Sequence, residues 1–118
     1  MGSPVTQFQI LAKDPEKTAA FYTGLFGWTQ NADNALGYRQ LSTGAGRGID
    51  GGIWPSPPEG SSFVQLFVEV DDLAATLEKA RALGGSVLLP PQTLPEGDAM
   101  ALFRDPEGIP VALWKPRG

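Results

Sequence analysis

The feature that most limits what this chain can fold into is an internal repeat. The segment QFQILAKDPEKTAAFYTGLFGW, residues 7–28, reads as a strand, a capping aspartate and a helix that stops on glycine. In QFQIL the side chains alternate, so Phe8 and Ile10 share one face while Gln7 and Gln9 share the other. Asp14 stands at an N-cap position with Pro15 at the first helical position, where its missing N–H is of no consequence. QLFVEVDDLAATLEKARALGGSV, starting at Gln65, repeats that order. Gln7 and Gln65, Asp14 and Asp72, and Gly27 and Gly85 each lie 58 residues apart. Three anchors in one register, each tied to a structural role, point to a duplicated unit.

Short strands after each helix complete the unit. In the first half they are expected at 28–30, at 38–42 and at 49–55, the last loosened by Gly51 and Gly52, which mark a bulge or a close approach. TGAGRG, residues 43–48, lies between two of them. It neither opens a helix nor ends in Lys-Ser or Lys-Thr, so it reads as a hairpin loop and not a phosphate cradle. PSPPEGSS, residues 55–62, reads as the linker between halves. The second half places strands at 63–70, at 86–89 with a stop at Pro90-Pro91, at 99–103 and at 110–114. DPEG at 105–108 forms a turn. Each half is therefore β-α-β-β-β, and the expectation is an α+β fold with helices covering one face of the strands.

A chain of 118 residues holds one domain: module one over about residues 4–55, the linker 55–62, and module two over about 63–116. The net charge of −4 disfavours nucleic acid, since a run of phosphates would go unneutralised. No apolar run approaches the length of a membrane span and no signal peptide is evident, so the protein is expected in the cytoplasm. The absence of cysteine agrees with a reducing compartment and removes any thiol nucleophile.

DPEKTAAFYTGLFGW (14–28), FVEVDDLAATLEKARALGG (67–85) and FRDPEGIPVALW (103–114) together resemble the vicinal oxygen chelate superfamily of glyoxalases, bleomycin-resistance proteins and extradiol dioxygenases. The resemblance implies two modules that curl into a cupped mixed sheet with the helices outside. It also implies metal ligands on the first and last strands of each module. Matched residue by residue, those positions are Gln7, Gln65 and Ala112, with the fourth near Trp54. The chain has no histidine, and two amides with an alanine offer a divalent transition metal no anionic donor. Glu69 is the one carboxylate sharing the Gln65 face. No metal and no other cofactor is therefore expected.

Period-2 alternation places Gln7, Gln9 and Leu11 on the face opposite Phe8 and Ile10, and Gln65, Phe67 and Glu69 opposite Leu66, Val68 and Val70. Pro110, Ala112 and Trp114 join that inner face. Amides can orient a neutral polar ligand and flat rings can stack on a planar one, so the candidate ligand-binding residues are Gln7, Gln9, Tyr38, Trp54, Gln65, Phe67, Glu69 and Trp114. The glutamines read equally as solvent-facing residues and the tryptophans as core. Phe21, Tyr22 and Phe26 are expected in the core, with Trp28 packing beside them. The expected function is metal-free binding of a small, partly aromatic molecule, as in the bleomycin-resistance branch. The alternative is a metal-independent isomerase or lyase working through an acid such as Glu69 or Asp50. By the same resemblance the partners are a small molecule and a second copy of the chain in a homodimer, with neither nucleic acid nor membrane.

Overall fold

A computed structural model describes residues 2–34, 36–56 and 60–117. Part of the expected linker, residues 57–59, lies outside the described residues. The chain forms β1 (Val5–Ala12), α1 (Pro15–Phe26), β2 (Thr29–Asn31), β3 (Arg39–Ser42), β4 (Asp50–Pro55), β5 (Phe63–Glu69), α2 (Leu73–Ala82), β6 (Ser86–Thr93), β7 (Ala99–Arg104) and β8 (Pro110–Lys115). This is the expected α+β order, β-α-β-β-β twice. The residues divide into two compact units, 7–65 and 66–117, and residues 2–6 belong to the second.

In the first unit the strands run β2-β3-β4-β1, antiparallel except for the parallel pair β1 and β4. Phe8, Ile10 and Ile53 turn to α1 and build a core with Ala12, Ala19, Leu41 and Trp28. The helix starts as the sequence reads: Asp14 Oδ1 accepts the Lys17 N–H at 3.1 Å, and Gly27 ends it with φ 71°. Which face it buries differs from expectation. Ala19 is fully buried, whereas Phe21, Leu25 and Phe26 are 61%, 59% and 57% exposed. The small Ala19 is the α1 residue in the core with Ile53 and Leu41, and Thr23, half-buried one turn on, satisfies its hydroxyl within the helix by donating to the Ala19 carbonyl at 2.8 Å. Tyr22 stacks with Phe26 and with Trp28, Phe26 meets Trp28 at a tilt, and Trp28 reaches Phe8 at 5.7 Å between ring centroids.

The second unit runs β5-β8-β7-β6, with β5 and β8 parallel and the rest antiparallel. Leu73 and Leu77 of α2 pack on Ala101 and Leu113, flanked by Val68, Val70 and Phe103. Asp72 caps the helix through the Ala75 N–H at 3.0 Å. At its other end the repeat slips by one residue: Gly84, not Gly85, takes the left-handed conformation, with φ 100°. Gly85 is needed for closeness, because a Cβ there would stand 2.7 Å from the Arg104 carbonyl oxygen. The expected stop at Pro90-Pro91 is not a stop. β6 continues to Thr93 through register shifts on either side of Leu89. At the end of the ladder a proline need not donate inward, and a bulge absorbs it. DPEG is the expected turn. Asp105 Oδ1 accepts the Glu107 and Ile109 N–H groups, both at 2.9 Å.

Candidate functional site

In the first unit the face turned away from α1 gathers four of the predicted residues. Gln9 pairs with Gly52 and Leu11 with Trp54 across β1 and β4, so these side chains share that face. Gly52 is needed there because a Cβ would overlap the ring of Tyr38, and Gly51 because one would strike Phe8. Tyr38 therefore lies against bare backbone, with its ring centroid 4.5 Å from that of Trp54 and the planes 32° apart. Gln9, 1% exposed, donates Nε2 to Gln7 Oε1 at 2.7 Å and to Tyr38 Oη at 3.2 Å. Tyr38 in turn donates to the Gly51 carbonyl at 3.3 Å. Burial raises the Tyr38 pKa above its ordinary value of 10.0, and the hydrogen bond from Gln9 offsets part of this. The phenol therefore stays protonated and polar at neutral pH. One acceptor in the cluster, Gln9 Oε1, is buried without a hydrogen-bond partner among the described residues.

The remaining predicted residues do not join this cluster. Gln65 is buried (5% exposed) on the first half of β5, outside these hydrogen bonds. Phe67, Glu69 and Trp114 belong to the second unit. Phe67 pairs with Ala112 and Glu69 with Trp114 across β5 and β8, which sets them on the face away from α2. Trp114 donates its indole N–H to Asp98 Oδ2 at 2.7 Å. Asp98 is not legible as a partner in the sequence, since no periodicity links it to Trp114, 16 residues away. Asp50, one of the acids considered for proton transfer, is exposed and spends Oδ1 on the Thr43 N–H at 3.0 Å.

The ladders also revise the repeat. Leu11 faces Trp54 and Glu69 faces Trp114, so the two tryptophans are equivalent and lie 60 residues apart. The position corresponding to Ala112 is then Gly52, so the four positions that the resemblance gives to metal ligands read Gln7, Gly52, Gln65 and Ala112. Two have no donor atom on the side chain, and the Gln7 oxygen is already engaged by Gln9. This set does not fit a divalent metal. Among the described residues no three carboxylates converge elsewhere.

A cleft of about 350 Å³ opens on the other face of the second unit, beside the last turns of α2. Its walls are apolar, chiefly Val68, Val70, Leu83, Phe103 and Leu113, with Lys79 and Asp105 among the lining residues. None of the eight predicted residues lines it. The sequence offers no signal for it, because the same residues are simply the apolar stripe of a helix and its strands.

The profile described as Glyoxalase/Bleomycin resistance protein/Dioxygenase superfamily matches residues 5–113. CFP32 of Mycobacterium tuberculosis, which carries a provisional glyoxylase name, is 32% identical over 111 residues, covering 92% of this chain and 42% of that protein. The anthracycline biosynthesis protein DnrV of Streptomyces peucetius is 28% identical over 124 residues, covering 92% of this chain and 45% of its own length. The chain thus spans less than half the length of these curated relatives. Among solved structures, BH1468 of Bacillus halodurans matches with a TM-score of 0.72 at 11% identity, over 100% of this chain and 97% of that one. Methylmalonyl-CoA epimerase from Mycobacterium tuberculosis matches with a TM-score of 0.66 at 16% identity, over 97% and 88%. At such identities the likeness is one of fold.

Proposed function

Since the chain belongs to the Glyoxalase/Bleomycin resistance protein/Dioxygenase superfamily, we propose that it is a small-molecule-binding member that works without a metal at the chelating positions and takes a planar, partly aromatic ligand. The observation that carries this reading is the Tyr38–Trp54 pair, two rings 4.5 Å apart backed by the Gln7–Gln9 amides. Rings held in this way offer a stacking surface, and a few amides nearby orient what lies on it. Support comes from DnrV, a relative named for anthracycline biosynthesis. Anthracyclines are fused-ring aromatic molecules of the kind such a surface suits.

Calorimetric titration with planar aromatic probes such as 2-naphthol is the test. Binding is expected in the wild type and a loss of about tenfold or more in Trp54→Ala, as for the removal of one buried stacking contact of about 1.4 kcal/mol. Titration with zinc, nickel or manganese is expected to show no stoichiometric uptake. Uptake of one metal per chain, or equal binding of the probe by the wild type and Trp54→Ala, overturns the reading.

A further inference from the structure

The cleft beside the last turns of α2 is lined by residues of the second unit alone. Thr76, Lys79, Ala80 and Leu83, at i, i+3, i+4 and i+7, share the side of α2 that borders it, and apolar side chains of the strands face them. Its volume of about 350 Å³ lies at the small end of the range of about 300–1,000 Å³ usual for small-molecule sites. Leu83 is 70% exposed, so an apolar group seated here would cover surface that now faces water. Two opposite charges, Lys79 and Asp105, border this apolar space. Asp105 spends Oδ1 on the Glu107 and Ile109 N–H groups, which fixes the carboxylate and leaves Oδ2 for another donor. Lys79 is exposed, and among the described residues the ion pair is Arg81–Glu78 alone, so Lys79 and Asp105 are paired neither with each other nor with a third group. Thr76 donates its hydroxyl to the Asp72 carbonyl at 2.8 Å and has no hydrogen left to offer.

We infer that this cleft is a second binding site, for a small zwitterion with an apolar side group, of which an apolar α-amino acid is the simplest kind. The side group lies against Leu83 and the apolar strand residues, the carboxylate faces Lys79, and the ammonium faces Asp105. The two charges exclude the other classes of small ligand. A plain hydrocarbon uses neither. An anion gains Lys79 but meets the Asp105 carboxylate, and a cation gains Asp105 but meets the Lys79 ammonium. A molecule that carries both charges finds a favourable partner for each. This site does not depend on the proposed aromatic surface of the first unit, since none of Gln7, Gln9, Tyr38 and Trp54 lines it.

The test titrates the full chain with L-phenylalanine, 3-phenylpropionate and 2-phenylethylamine, which share a ring and differ in their charges. The methyl resonances of Val68, Leu83 and Leu113 report where they bind, and phenylalanine is expected to shift them. In the wild type phenylalanine is expected to bind about fivefold more tightly than either analogue, the effect of one partly exposed ion pair. Lys79→Gln is expected to weaken phenylalanine and phenylpropionate about fivefold, and phenylethylamine not at all. Asp105→Asn, which keeps an oxygen to accept the turn N–H groups, is expected to weaken phenylalanine and phenylethylamine about fivefold, and phenylpropionate not at all. Should either variant fail to fold, the wild-type ranking and the methyl shifts decide. Equal affinities for the three molecules, shifts confined to other methyl groups, or no binding of phenylalanine overturns the inference.

Discussion

The ring of Tyr38 fills the space into which residue 52 would project a Cβ, and glycine at 52 is what allows it. Side chain and bare backbone are fitted to each other at the centre of the proposed ligand surface. Gly52→Ala is therefore expected to push the ring off β4 and away from Trp54. It should lower stability by about 1–3 kcal/mol, as overpacking does. Chemical denaturation measures the stability loss, and near-ultraviolet circular dichroism reports the lost Tyr38–Trp54 pairing.

Tyr38 also gives the protein an alkaline sensitivity whose sign is fixed. Burial holds its folded-state pKa above 10.0, while the unfolded chain releases the proton near the ordinary value. Between those two values the folded state binds more protons than the unfolded one. The stabilisation is fully present below pH 10 and is lost as pH rises through the folded pKa. Denaturant titrations from pH 9 upward are expected to show a falling stability that is flatter in Tyr38→Phe.

The two helix caps should be worth similar amounts. Asp14→Ala and Asp72→Ala each remove one hydrogen bond to a first-turn N–H, and each is expected to cost about 1 kcal/mol. Because the caps sit in different units, their effects should add in the double variant. Thermal or urea unfolding of the three proteins decides this.

On α1, size and importance are inverted. Phe21→Ser is expected to change stability by no more than about 0.5 kcal/mol, since more than half of the ring is already in water. Ala19→Leu, an enlargement at a fully buried position, is expected to cost about 1–3 kcal/mol. A larger loss from the phenylalanine than from the alanine would mean that α1 turns its other face to the strands.

Much of this fold is legible in the sequence because its signals are local. Asp14, Pro15 and Gly27 announce a helix by capping chemistry, and they occupy those roles. Alternation in QFQIL sorts Phe8 and Ile10 from Gln7 and Gln9 correctly. The failures share a cause, which is that bulk and spacing carry no record of their partners. Phe21 and Phe26 look like core until Ala19 is seen to be the residue that lies close. Gly85 matches Gly27 in spacing, yet the left-handed residue is Gly84, and only contact with the Arg104 carbonyl explains a glycine at 85. A constant offset matches Trp54 to Ala112, whereas loops of unequal length move the true partner to Trp114. The Gln9–Tyr38 and Trp114–Asp98 hydrogen bonds join residues 29 and 16 positions apart, and no periodicity links them.

The prolines of β6 have a consequence for the protein in concentrated solution. A strand that ends a ladder ordinarily offers a row of free N–H and C=O groups on which another chain can add itself. Here Pro90 and Pro91 have no N–H to offer, and the register shifts on either side of Leu89 break the regular spacing of the rest. Chain-to-chain strand addition, the first step towards fibrils, finds no continuous template along that flank. What looks like poor strand chemistry at residues 90 and 91 takes regular strand pairing away from that flank.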